Sequence, residues 1–187
     1  MHLFQYIAVF IHVRSNNQSF SYEACDRVNE KNFFSAGWDG VLLSFTMGEG
    51  DRIIKNHSIE AHMGIVHGIA HSEALNLVAT TGQDGFTRLW DMRSVSEGVS
   101  QIINLNQIGS SVCWNNRSNY CNEIVVGLED GSLNLYDVRD CSNVVSSFSV
   151  NPTRIRKVTT VDNVPNLLLC GLEVFRILCC LFLCPPL

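Results

Sequence analysis

The feature of this sequence that most constrains its fold is a short turn that recurs three times at nearly constant spacing. Each copy carries an aspartate followed directly by glycine, at Gly37-Trp38-Asp39-Gly40, Gly82-Gln83-Asp84-Gly85 and Gly127-Leu128-Glu129-Asp130-Gly131. The aspartates are residues 39, 84 and 130, so successive copies lie about 45 residues apart. A period of this length indicates that one structural unit is repeated along the chain.

Each turn joins two short runs that have the pattern of half-buried strands. In residues 86–91, Phe-Thr-Arg-Leu-Trp-Asp, apolar and polar side chains alternate with a period of two. Asp-Gly between two such runs is a strong hairpin signal, because a tight two-residue connection needs positive φ, which glycine adopts without a steric penalty. Four such runs can be assigned to each copy, and four strands at this period are typical of β-propeller blades.

The fourth copy of the pattern is incomplete. Residues 171–173, Gly-Leu-Glu, begin like residues 127–129, but Val174 and Phe175 stand where Asp-Gly is expected. Closed propellers typically need four to eight blades. The sequence therefore predicts an all-β fold, an incomplete β-propeller of about three to four four-stranded blades. The predicted units are blades at 20–58, 59–105 and 106–150, a partial blade at 151–173, an apolar tail at 174–187, and an apolar segment at 1–19 that can be interpreted as a strand of a preceding blade.

The second unit carries the residues of a known repeat family. Residues 60–62, Glu-Ala-His, and residues 89–91, Leu-Trp-Asp, resemble the Gly-His and Trp-Asp ends of a WD-repeat, with Ala61 in place of glycine. The resemblance implies a buried hydrogen-bonded relay, whose members here would be His62, Thr80, Asp84 and Trp90. Such a relay is physically reasonable, because a covered carboxylate needs donors, which imidazole, hydroxyl and indole groups supply.

The other two units match the relay only in part. The first unit retains Ser35 and Asp39, and the third retains Asp130. The third unit has Val126 and Tyr136 at the positions of the strand hydroxyl and the tryptophan, with no histidine nearby. We therefore expect the first and third units to be less stable than the second.

Composition argues against several classes of function. The net charge is −5 and no Lys/Arg cluster occurs, which is not the pattern of a nucleic-acid-binding surface. Eight cysteines are scattered without a C-x2-C pair, so we interpret them as small apolar residues in a reducing compartment, the cytoplasm or the nucleus. The apolar stretch from 174 to 187 is shorter than the roughly 20 residues that a membrane-spanning helix needs. No membrane partner is therefore predicted.

Candidate catalytic and metal-binding clusters do not have suitable geometry. His62, His67 and His71 are close in sequence, but they fall on a loop, a strand and a turn and not on one helical face. Ser72 lies between His71 and Glu73, but adjacent turn residues point apart and no glycine-rich elbow accompanies them. The sequence therefore predicts no enzyme activity, no cofactor and no metal site.

Binding to other proteins remains as the expected function. The WD-repeat resemblance implies that the residue before each turn aspartate faces a shared rim, and these residues are Trp38, Gln83 and Glu129. Trp38 is a candidate anchor, because large aromatic side chains contribute strongly to binding at interfaces. Packing of Trp38 against a neighbouring loop is the alternative, and Gln83 and Glu129 can equally be solvated turn residues.

A finer resemblance concerns the class of partner. The order of features at residues 84–93, 100–102, 111–115, 127–137 and 141–147 is similar to the WD-repeat subunits of methylosomes, the cofactors of type II protein arginine methyltransferases. This implies a non-catalytic scaffold that docks against the methyltransferase and presents Arg-rich or histone-like substrates, for which an acidic surface is suited. The alternative is a substrate receptor or assembly adaptor in another complex, such as a ubiquitin ligase.

Overall fold

The computed structural model describes residues 22–27, 31–94, 97–115, 122–150, 152–160, 167–172 and 177–182. Strands and one short 3-10 helix, Glu49–Asp51, are the regular elements in these ranges. The strands are β1 (Tyr22–Arg27), β2 (Asn32–Gly37), β3 (Val41–Met47), β4 (Ile53–Glu60), β5 (Val66–Ser72), β6 (Leu77–Gly82), β7 (Phe86–Asp91), β8 (Gln101–Asn104), β9 (Gly109–Trp114), β10 (Glu123–Leu128), β11 (Ser132–Asp137), β12 (Asp140–Ser149), β13 (Ile155–Thr160), β14 (Leu167–Leu172) and β15 (Ile177–Phe182). No helix in the described ranges is both long and apolar enough to cross a lipid bilayer.

The strands form four antiparallel sheets whose strand order follows the chain. The orders are β1-β2-β3-β4, β5-β6-β7-β8, β9-β10-β11-β12 and β13-β14-β15. The first strands of successive sheets contact one another, β1 with β5, β5 with β9, and β9 with β13. These four strands therefore surround a common axis, which confirms the predicted all-β, incomplete propeller.

The three turns that define the repeat have the same backbone geometry. The amide N–H groups of Gly40, Gly85 and Gly131 donate to the carbonyl oxygen three residues earlier, at 3.2, 3.3 and 3.2 Å. The same glycines have φ of 73°, 79° and 85°. In each turn the aspartate Oδ1 accepts a hydrogen bond from the amide two residues later, in Val41, Phe86 and Ser132.

One detail of the turns differs from the sequence prediction. The glycine is the third residue of a three-residue connection between strands, and Trp38 and Asp39 do not have positive φ. Glycine is required because the chain adopts a left-handed conformation only at that last position, as in hairpins that end in a bulge. The two-residue connection expected from the Asp-Gly pair does not form.

Apolar side chains fill the spaces between neighbouring sheets. Phe34, Leu42 and Val78 belong to the cluster between the first and second sheets. Leu89 and Ile124 belong to the larger cluster between the second and third sheets. A third cluster between the third and fourth sheets contains the side chains Leu133, Ile155 and Leu168. Each sheet is therefore stabilised mainly by the face that it shares with the next.

The fourth sheet extends beyond the residues predicted for it. We expected the repeat pattern to end at residue 173, but Ile177–Phe182 forms β15 and pairs with β14. A run of apolar residues has high strand propensity even without an Asp-Gly turn, so loss of the turn signal did not prevent pairing. The predicted N-terminal segment, residues 1–19, lies outside the described residues.

Close packing of the second and third sheets depends on a glycine. A Cβ atom at Gly109 would overlap Thr81 Oγ1 and lie 2.7 Å from Leu105 Cδ1. We predict that Gly109→Ala lowers the free energy of unfolding by about 1–3 kcal/mol, because the sheets must move apart. Gly171→Ala is the matched control, since its nearest contact would be 3.8 Å, and it should change stability by less than about 0.5 kcal/mol. Urea unfolding that ranks the two variants equally would contradict this account.

Candidate interaction rim

The structure brings together the four side chains that the WD-repeat resemblance placed in a relay. Trp90 Nε1–H donates to Thr80 Oγ1 at 2.9 Å, and Thr80 Oγ1 lies 2.8 Å from His62 Nε2. His62 Nδ1 lies 2.8 Å from Asp84 Oδ1. His62, Thr80 and Trp90 are buried, and 8% of the Asp84 side chain is exposed. The relay therefore links the strands β6 and β7 to the loop before β5.

The chemistry of these groups fixes the position of the imidazole proton. A carboxylate can only accept, so His62 Nδ1 must carry the hydrogen that is donated to Asp84. In the neutral ring, Nε2 then accepts from the Thr80 hydroxyl. Arg88 Nη1 lies 2.7 Å from Asp84 Oδ2 and 2.8 Å from His62 Nδ1, but only the first of these can be a hydrogen bond in this tautomer. Arg88 is thus a second side chain, after His62, that donates to the Asp84 carboxylate.

Burial and charge act in opposite directions on the two ionisable groups of the relay. Burial lowers the pKa of His62, and this outweighs the hydrogen bond and the negative charge of Asp84, which raise it. Burial raises the pKa of Asp84, but hydrogen bonds from His62, Arg88 and the Met63 amide together bring that pKa below its usual value. At neutral pH the relay therefore contains a neutral imidazole and an ionised carboxylate.

We call each Asp-Gly turn, together with the groups bonded to its aspartate, a corner of its sheet. At the corner of the third sheet, a different side chain donates to the aspartate. Gln107 Nε2 donates to Asp130 Oδ2 at 3.0 Å, and Ser132 donates to Asp130 Oδ1 through its amide and its hydroxyl. Burial raises the pKa of Asp130, but these hydrogen bonds outweigh it and the net pKa is lowered. Gln107 precedes Asp130 by 23 residues, close to the 22 between His62 and Asp84. Gln107 was not predicted from the sequence, because the relay pattern indicates only histidine at this spacing.

The corner of the first sheet has fewer contacts. Asp39 is exposed and accepts a hydrogen bond from the Val41 amide at 3.1 Å. Ser35 is buried in β2, and no hydrogen bond between Ser35 and Asp39 occurs among the described contacts. This corner is held instead by its backbone, since the Gly40 carbonyl oxygen accepts from the Ala61 and His62 amides at 2.9 and 3.0 Å.

The predicted binding residues lie at equivalent positions on one edge of the described sheets, the edge that carries the Asp-Gly turns, which we call the rim. Trp38, Gln83 and Glu129 each occupy the connection between the second and third strands of a sheet, and all three are exposed. Trp38 is 60% exposed. Gln83 Oε1 accepts a long, 3.4 Å hydrogen bond from the Ile65 amide, so this side chain partly covers the loop before β5. The structure therefore places all three residues on a shared surface, at separate corners of it.

One exposed apolar side chain on this rim was not found from the sequence. Met63 is 89% exposed and follows His62 in the loop before β5. Its amide donates to Asp84 Oδ2 at 3.2 Å, so the relay fixes the backbone beneath it. A methionine on a loop is common, and no sequence pattern indicates that this one faces solvent at the rim.

The two ends of the sheets differ in their ion pairs. At the end opposite the turn aspartates, Arg93 bonds Asp91 and Arg139 bonds Asp137, in two exposed pairs. At the rim, Arg88 is bonded to Asp84, and Asp39, Glu60, Glu129 and Asp130 are absent from the ion pairs of the described residues. Several carboxylates at the rim therefore lie outside the ion pairs of the described residues.

The histidines and cysteines of the described residues are not grouped as metal ligands. No set of three or more His, Cys, Asp or Glu side chains within the described ranges is arranged to hold a metal ion. His67 and His71 lie on β5, apart from the relay. Burial raises the pKa of Cys113 to about 12 and that of Cys170 to about 11, so both thiols stay protonated at neutral pH.

The free energy of unfolding should depend strongly on the corner of the second sheet, which contains the relay. We predict that Asp84→Ala lowers the free energy of unfolding by about 2–4 kcal/mol, because it leaves His62 and Arg88 without their acceptor. Asp39→Ala removes the carboxylate from the equivalent but exposed corner and should cost less than about 1 kcal/mol. Denaturant unfolding of both variants checks the comparison, and equal losses would show that the second corner has no special role.

The lowered pKa of His62 predicts a pH dependence of stability. Unfolded histidine titrates near 6.5, so below that pH the unfolded chain takes up a proton that folded His62 does not. The free energy of unfolding should therefore fall as the pH falls through this range, and His62→Gln should reduce the slope. His71 contributes in the same direction, because burial lowers its pKa as well. Stability that rises on acidification, or an unchanged slope in His62→Gln, would contradict the assignment.

Comparisons with known proteins agree with this geometry. The family model "WD domain, G-beta repeat" matches residues 54–91, which include the whole relay. The guanine nucleotide-binding protein subunit beta of Saccharomyces cerevisiae is 33% identical over 96 residues, which are 48% of this chain and 21% of that protein.

A solved structure gives the same result for the fold. The WD40 β-propeller domain of Doa1 superposes with a TM-score of 0.65 at 12% identity, over 81% of this chain and 48% of that one. An identity this low shows the fold alone. The chain spans less than half the length of both proteins. Residues 54–91 therefore match a WD40 repeat, and the fold of the described residues is that of an incomplete WD-repeat β-propeller.

Proposed function

We propose that this protein is a non-catalytic scaffold that binds other proteins through the rim formed by its Asp-Gly turns. The observation that carries the proposal is the position of Trp38, an indole that is 60% exposed at the tip of a fixed turn. Aromatic side chains held in place at a surface make strong anchors, because little conformational entropy is lost when a partner covers them.

The relay supports this role by keeping the rim rigid. The Asp84 carboxylate holds the Met63 amide, and the loop that contains Met63 is bonded to the turn that contains Trp38. The exposed residues of the first two corners are thus attached to a buried hydrogen-bonded network. A rigid surface of this kind is suited to recognition, and the proposal requires no chemical step.

Among possible complexes, we propose a protein arginine methyltransferase complex of the methylosome type, in the cytoplasm or the nucleus. The residues that support this are those of the sequence resemblance, chiefly 84–93, 127–137 and 141–147. The acidic rim supports it by charge, since Arg-rich or histone-like substrates are cationic. The yeast relative is by its name a subunit, which supports a role within an assembly.

Affinity capture with mass spectrometry tests the proposal. We predict that the tagged protein captures protein partners and that Trp38→Ala reduces their recovery at least about tenfold, the effect expected for an interface anchor. Val145→Ala is the matched control, because Val145 is a 51% exposed apolar residue on the outer strand β12. Recovery of an arginine methyltransferase supports the methylosome assignment, and recovery of ubiquitin ligase subunits supports the adaptor alternative. Equal capture by the protein and Trp38→Ala would overturn the role of the rim.

A further inference from the structure

We propose that the corner formed by Trp38 and Met63 binds a protein segment in which an apolar side chain is flanked by lysine or arginine. We call this surface, made of Trp38, Asp39, Glu60 and Met63, the first corner patch. The inference rests on the proposed scaffold function and deepens it, because it assigns the chemistry of the segment that the rim recognises.

The apolar part of the patch comes from two loops that are bonded to each other. Trp38 is 60% exposed and Met63 is 89% exposed. The Gly40 carbonyl oxygen accepts hydrogen bonds from the amides of Ala61 and His62, which directly precede Met63. A Cβ atom at Gly40 would overlap the His62 carbonyl oxygen, so the two loops are in direct contact. Trp38 and Met63 therefore border one continuous surface, which is rigid on its aromatic side and adaptable on its thioether side.

The charged part of the patch is negative. Asp39 follows Trp38, and Glu60 is paired with Val41 across the β3–β4 ladder, directly after the same turn. Both carboxylates are exposed, and neither belongs to an ion pair among the described residues. The nearby guanidinium of Arg88 is bonded to Asp84, and its side chain is 16% exposed. Within the part of the chain that the structure describes, no ion pair therefore occupies Asp39 or Glu60, and lysine or arginine side chains of a bound protein can pair with them.

Apolar side chains beside exposed carboxylates favour a cationic protein segment over nucleic acids and anionic membranes. Nucleic acids and anionic membranes would be repelled by the two carboxylates. An uncharged apolar segment would cover Trp38 and Met63 but would leave the carboxylates partly desolvated and unpaired. A segment with cations on both sides of one apolar side chain satisfies both parts. The apolar contacts supply most of the affinity, and the exposed charge pairs supply selectivity and dependence on salt.

Tryptophan fluorescence gives a direct readout on the protein itself. The chain has three tryptophans, and Trp90 and Trp114 are 3% and 4% exposed, so the quencher acrylamide reaches mainly Trp38. The probes are short amidated peptides without tryptophan, with a central leucine flanked by lysines, by arginines or by glutamates. The lysine and arginine peptides should shift the emission to the blue and protect Trp38 from quenching, and added salt should weaken this effect. The glutamate peptide should do neither.

Variants separate the charged contribution from the apolar one. By calorimetry with the lysine peptide, Asp39→Asn and Glu60→Gln should each raise the Kd about two- to fivefold. Met63→Ala should raise it about fivefold or more. Asp130→Asn, a carboxylate at the third corner, is the matched control and should leave the Kd unchanged. Equal binding of the glutamate peptide, or no response to any peptide at about 1 mM, overturns the inference.

The same experiments distinguish this inference from the proposed function. If no peptide binds but Trp38→Ala still abolishes partner capture, the scaffold function stands and the assigned chemistry of the segment is wrong. If the lysine peptide binds but Trp38→Ala leaves capture unchanged, the patch is a real site and the proposed role of the rim in partner capture is wrong.

Discussion

One backbone contact, repeated three times, fixes the point at which the chain leaves each sheet for the next. In each Asp-Gly turn the carbonyl oxygen of the glycine accepts a hydrogen bond from the chain that leads towards the next sheet. Gly40 accepts from Ala61 and His62, Gly85 from Leu105, and Gly131 from Val150, at distances of 2.9–3.1 Å. Because the glycine adopts the left-handed backbone conformation, its carbonyl group can point at this segment. The contact therefore continues the pairing of the third and fourth strands of each sheet by one residue, and it fixes where the chain leaves for the next sheet.

The side chains at the corners add to this backbone framework unequally. At the second corner His62, Arg88 and the Met63 amide all donate to Asp84, and the imidazole continues into the core through Thr80. At the other two corners, Asp39 accepts one hydrogen bond and Asp130 accepts three, and both aspartates are exposed. The rim thus has its most rigid point at the second corner. Of the exposed apolar side chains, Trp38 lies in the turn of the first corner, and Met63 lies in the loop that leads from the first sheet to the second.

The sequence predicted the features that repeat and missed those that depend on particular neighbours. The period of the Asp-Gly turns predicted the sheets, and alternation in strands such as β7 predicted their pairing. The exact turn type was wrong, because Asp-Gly fits both a two-residue and a three-residue connection. Gln107 and Met63 were missed, since an amide donor and an exposed thioether leave no pattern in a single sequence. Strand β15 was missed because apolar residues without a turn signal were treated as a departure from the repeat.

Hydrogen exchange measured residue by residue tests the central claim most directly. If the glycine carbonyls fix the start of each connecting segment, the amides of Ala61, Leu105 and Val150 should exchange at least about a hundredfold more slowly than their intrinsic rates, although they lie beyond the last strands. Their protection should also be lost together with that of the strands in denaturant. Exchange of these three amides near the intrinsic rate, while the strand amides stay protected, would show that the turns do not fix the segments that lead to the next sheets.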